Sequence, residues 1–152
     1  IMAITQAIAN TFKKQLFEAD MNFLASQDKF KIALYTSSAT LNSATTAFST
    51  NPGGGANTEV ANSGQYASGG GLLVNLGTSL TAGVARVDFS DRSFTGVTLT
   101  ARGALIYNTS SATTNAAVCV LDFGADKTAT SGVFTIQFPA ATSTAAILRI
   151  SG

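Results

Sequence analysis

Residues 101–139 read ARGALIYNTSSATTNAAVCVLDFGADKTATSGVFTIQFP, three short apolar runs separated by two polar, turn-rich breaks. Strand side chains alternate between faces. In the first run Ala104, Ile106 and Asn108 fall on one side and Leu105 and Tyr107 on the other, so both sides are partly apolar. The second, residues 118–123, is more continuous, the pattern of a strand covered on both faces. The third alternates, with Phe134, Ile136 and Phe138 opposite Val133, Thr135 and Gln137, and Pro139 removes a ladder donor where the run stops. The stretch therefore predicts three strands of one buried sheet, in which each buried Phe or Ile contributes roughly 1.5–3 kcal/mol.

Working outward, residues 72–80, 84–89 and 94–99 read as further short strands, broken at Thr81-Ala82-Gly83 and Ser90-Asp91-Arg92. Residues 29–36, KFKIALYT, alternate with one apolar face, and residues 146–150, AILRI, supply a last strand. This spacing predicts a mainly β chain folded as an antiparallel sandwich or barrel. In VARVDF, Val84, Arg86 and Asp88 oppose Ala85, Val87 and Phe89, so Arg86 and Asp88 are expected to be exposed or paired.

Ahead of the strands, Ile4, Ile8, Phe12, Leu16, Ala19 and Phe23 recur at spacings of three and four, which predicts a helix over residues 5–22 with Thr5 as its N-cap. That helix packs on its own sheet or docks on a neighbouring subunit, which makes Ile8, Phe12, Leu16 and Phe17 interface candidates. Residues 37–71 lose apolar periodicity and become rich in Ser, Thr, Asn, Ala and Gly, with glycine triplets at 53–55 and 69–71. An unstructured connection of this length is unusual inside a compact domain. It is expected to form an extended surface arm with one short ordered piece near residues 58–66, anchored by Phe48 and Tyr66 to its own domain or to a partner.

The 152 residues, 45% of them hydrophobic, are enough for one sizeable core, so a single β domain over 1–152 is the expectation. Only 11% are charged, and hydroxyls and amides supply the rest of the polar surface, which suits a loop-rich β fold or a protein packed into an assembly. A formal charge of +1 offers no basic field to collect nucleic acid. Neither a membrane-spanning apolar segment nor a secretory leader pattern stands out, so a soluble, unsecreted chain is expected.

Histidine is absent, which removes the usual general base, the commonest metal ligand and the Ser-His-Asp relay together. Cys119 lies in an apolar run and reads as a small buried hydrophobe. Asp122-Phe123-Gly124 matches a kinase metal motif without the glycine-rich loop, strand lysine or catalytic loop that motif requires, so Gly124 reads instead as the point where the chain leaves a strand. Asp88, Asp91, Asp122 and Asp126 lack the spacing of a calcium loop. The reading is a non-enzymatic protein without cofactor, metal or catalytic residues.

The segments FKIALYTSSATLNSATTAFS, ARGALIYNTS, VCVLDFGADKT and FTIQFPAATSTAAILRI, after a MAITQ opening at Met2, resemble a family of small virion proteins encoded by tailed bacteriophages, over nearly the whole chain from Met2 to Ile150. The chain departs from that pattern at residues 63–71, SGQYASGGG, where the family reads GTGYTAGG. The resemblance implies a structural role and defines no catalytic residue. From it follows the expectation of a capsid decoration (cement) protein, a homotrimer made in the host cytoplasm. It would bind the major capsid protein on the outer surface of the head, through the helix and the arm, and both could then be removed with the β domain still folded. The alternative is a tail or fibre component that binds a host surface glycan or protein.

Overall fold

The computed structural model describes residues 3–152; Met2, which opens the MAITQ motif, and Ile1 lie outside the described residues. The chain runs β1 (Ala7–Ile8), α1 (Asn10–Phe17), β2 (Phe30–Tyr35), β3 (Gly71–Leu72), β4 (Asn75–Thr81), β5 (Val84–Phe89), β6 (Arg92–Asn108), β7 (Ala116–Ile136) and β8 (Leu148–Ile150). Two antiparallel sheets result, a large one in the order β1-β7-β6-β2-β3 and a small one in the order β4-β5-β8. The mainly β expectation holds, and neither sheet closes into a barrel.

The stretch 101–139 pairs differently from the three strands its runs suggest. Its second and third runs belong to one strand, β7, and the 94–99 and 104–108 runs likewise merge into β6. Together they form a hairpin from Asn108↔Ala116 down to Arg92↔Ile136. The first polar break, residues 109–115, is the turn of this hairpin, whereas the second lies inside β7 as a bulge. Between Ala101↔Lys127 and Gly103↔Asp122, β7 inserts extra residues around Gly124, whose φ is 79°, so the glycine reshapes the strand without ending it. Outside the bulges the extended pairing is kept, with side chains joined across the strands at Thr100–Thr128 and Ser93–Thr135, each 2.8 Å.

The helix is shorter than its apolar stripe. Residues 4–10 direct main-chain hydrogen bonds to other segments: Thr5 N–H donates to Leu41, Ala9 N–H to Val118 and Asn10 N–H to Ser43. Ile8 pairs with Cys119 in β1, and Ala9, not Thr5, occupies the N-cap. At the other end Asp20 N–H donates to Gln15 and Ala19 N–H to Leu16, the paired closure of a Schellman motif, with Ala19 at φ 57° where glycine is usual. The helix therefore ends at Phe17, with Glu18 as its C-cap.

Both faces of the large sheet are covered where β2, β6 and β7 lie side by side. On one face an aromatic series runs from Phe12 to Phe23, then Phe30, Phe89 and Phe138, with centroids 4.6–5.9 Å apart. It links α1, the large sheet, the small sheet and the segment after β7. The other face is covered by residues that were expected to form an arm. Phe48 stacks on Tyr107 at 4.8 Å, Tyr35 donates to Ser49 O, and Tyr107 donates to Gly69 O.

Residues 58–60 also continue the sheet beside β2, with Thr36 N–H donating to Thr58 and Val60 N–H to Leu34. The extended-arm expectation is therefore corrected. Residues 37–70 contribute Ala39, Leu41, Val60 and Tyr66 to the core, and deleting them would strip a sheet face. Composition concealed this because the segment is held largely by main-chain hydrogen bonds, which carry no side-chain periodicity.

Candidate functional site

The structure separates the six interface candidates into two groups. Phe48 and Tyr66 lie on the large sheet, where Phe48 packs on Tyr107 and Tyr66 is 1% exposed with its ring edge-on to Phe94 at 5.2 Å. Tyr66 anchors residues 37–70 to their own domain and is not available to a partner. Ile8, Phe12, Leu16 and Phe17 come together around a groove of about 420 Å³ between α1 and the small sheet. Phe12 is buried, Leu16 is partly buried, Ile8 stands at the rim, and Phe17 is 95% exposed.

Sequence reasoning missed the opposite wall, made by Ala85 and Val87 of β5 and Leu148 and Ile150 of β8. The alternation of VARVDF did set Ala85 and Val87 on one face with Phe89, and residues 146–150 were read as a strand without assigned faces. That the faces meet α1 depends on the antiparallel pairing Val87↔Leu148 and Ala85↔Ile150, which joins segments some sixty residues apart. Phe89 on the same face is buried, whereas Ile150 remains exposed, so the apolar face runs on past the end of the core.

Arg86 was expected to be exposed or paired, and it is neither. It is 9% exposed, donates to Ala141 O and to Thr81 Oγ1, both at 2.6 Å, and leaves its Nε without a partner. Its cross-strand neighbour is Arg149, so two like charges stand together. Among the described residues the only ion pairs are Lys14–Glu18 and Arg102–Asp122.

A second polar cluster lies under residues 59–70. The buried Glu59 carboxylate accepts hydrogen bonds from Tyr66 OH at 3.0 Å, Ser68 Oγ at 2.8 Å and Gly69 N–H at 2.6 Å. Tyr66 OH in turn accepts from Leu34 N–H at 2.8 Å. Desolvation, reinforced by the Glu59 charge, pushes the Tyr107 phenol up to about 12, and desolvation drives Tyr35 and Tyr66 further above the usual tyrosine range. These phenols stay protonated and act as fixed hydrogen-bonding groups. The cluster holds residues 59–70 against β2.

The chemistry that remains is sparse. Burial pushes the Cys119 thiol up to about 12, which leaves it inert as a nucleophile. No group of three or more carboxylate or cysteine side chains is placed to hold a metal ion among the described residues. Asp122 instead pairs with Arg102, and Asp91 accepts from Phe138 N–H. The groove is thus suited to receiving apolar side chains. No family model, curated protein or solved structure matches the chain.

Proposed function

We propose that this chain is a non-enzymatic virion structural protein of a tailed bacteriophage, a capsid decoration (cement) protein of β-sandwich type. It would bind the major capsid protein and copies of itself on the outer surface of the head. The observation that carries the reading is the apolar groove flanked by exposed Phe17 and Ile150 on a low-charge β body. Such a surface is suited to burial against protein. The sequence resemblance supports a virion setting. The arm that sequence reasoning assigned to capsid binding is replaced in this role by the groove and the exposed end of α1.

The test is the number of copies of this chain per purified particle, measured by quantitative mass spectrometry against the major capsid protein. A ratio near one, or a simple fraction of it, is the expected result. A few copies per hundred capsid subunits would overturn it in favour of a tail or fibre component that binds a host surface glycan or protein. One observation favours that second reading, the exposed hydroxyl rows of the β6–β7 ribbon, where Ser93 meets Thr135 and Thr100 meets Thr128.

A further inference from the structure

We infer that the groove between α1 and β5–β8 receives Phe17 of a second copy of this chain, with Glu18 of that copy beside Lys13 at the rim. The groove walls are apolar, and its rim carries Lys13, with Arg86 and Arg149 on the adjoining strands. None of the three pairs with a carboxylate among the described residues, and Lys13 and Arg149 are the exposed ones, Arg86 being buried and bonded to Ala141 O and Thr81 Oγ1. An apolar knob with an acid next to it complements this surface. The chain displays that combination at the end of α1, where Phe17 is 95% exposed and the Glu18 side chain is about half exposed.

Two features of Glu18 favour the arrangement. It occupies the C-cap, where a negative charge opposes the helix dipole and a partner's cation relieves it. Its contact with Lys14 is an exposed i,i+4 pair, weak enough to be exchanged. Knob and groove lie on one patch, which is the self-complementarity required of an isologous contact. The inference rests on the self-association part of the proposed function and names its surface.

The test is sedimentation velocity of the full chain in free solution, from about 1 to 100 µM, the range of micromolar affinities. The wild-type chain is expected to associate reversibly, and Phe17→Asp to weaken association by about a hundredfold or more. Because Phe17 lies outside the core, that variant should keep the wild-type unfolding midpoint. Glu18→Lys is expected to weaken association about tenfold, and adding Lys13→Glu in the same chain to restore it. That reciprocal rescue requires both charges to come from this sequence.

A wild-type chain that remains monomeric throughout overturns the inference, as does association unaffected by Phe17→Asp or unrestored by the double reversal. Copy number in particles is a separate readout. A monomeric chain present at capsid-like ratios would refute this contact and leave head decoration standing. A self-associating chain present in few copies would do the reverse.

Discussion

Tyr66→Phe removes one buried oxygen atom and leaves the ring against Phe94. The hydroxyl accepts from Leu34 N–H at 2.8 Å and donates to Glu59 at 3.0 Å, so its loss strands a main-chain donor and withdraws one bond from a buried carboxylate. An unsatisfied buried donor costs about 1–3 kcal/mol, and a hydrogen bond to a charged group contributes about 1.5–3 kcal/mol. Glu59 keeps Ser68 Oγ and Gly69 N–H, which limits the second loss. The expected destabilisation is about 2–4 kcal/mol, a large share of the 5–15 kcal/mol typical of a domain. In urea unfolding followed by circular dichroism, a slope of about 2 kcal/mol/M lowers the midpoint by about 1–2 M. The control is Tyr107→Phe, which removes only a donor to Gly69 O and should cost about 1 kcal/mol. A Tyr66→Phe midpoint within about 0.3 M of wild type, at unchanged slope, would refute the claim that this hydroxyl completes the edge of β2.

Gly70→Ala should be more damaging, because a Cβ there would lie 1.8 Å from the Ile32 carbonyl oxygen at a φ of 77°. A loss of more than about 3 kcal/mol is expected in the same assay, and a loss under about 1 kcal/mol would show that residues 67–70 can withdraw from β2. Ala19→Gly should raise stability by about 0.5–1 kcal/mol by removing left-handed strain at the end of α1, and an unchanged midpoint would count against that strain. Alkali should unfold the protein. The three tyrosines bind their protons more tightly when folded than the unfolded value of 10.0, so their stabilisation is complete below that pH and is lost as pH rises through the folded values, which for Tyr107 is about 12. Tyrosinate absorbance should therefore appear together with loss of circular dichroism, and ordinary titration near pH 10 in a folded chain would contradict their burial.

The groove illustrates how much of the site was legible. Its helical wall was readable from Phe12 and Leu16, whose spacing survives in the observed helix, but Ile8 reached the same groove from a strand. A four-residue spacing returns a side chain to one face of a helix and, being even, to one face of a strand as well. Periodicity alone could not choose between them. The choice came from Val118, Leu41 and Ser43, whose carbonyls lie far away in sequence and accept hydrogen bonds from residues 5–10.

Tyr66 makes the same point for residues 37–70. Its aromatic character marked an anchor, and only the neighbouring Leu34 and Glu59 reveal where it is fastened.

Local chemistry in the chain determined the mainly β class, the apolar faces of the strands, the β4–β5 turn at Ala82 and Gly83, and the burial of Cys119. It did so because alternation and turn preference act over a few residues. Tertiary structure alone decided that two apolar runs and the polar break between them form the single strand β7, that the glycine-rich segment covers a sheet, and that Arg86 is buried without an acid. Each of those outcomes depends on hydrogen bonds and packing between residues distant in sequence, whose energies leave no periodic trace in either segment alone.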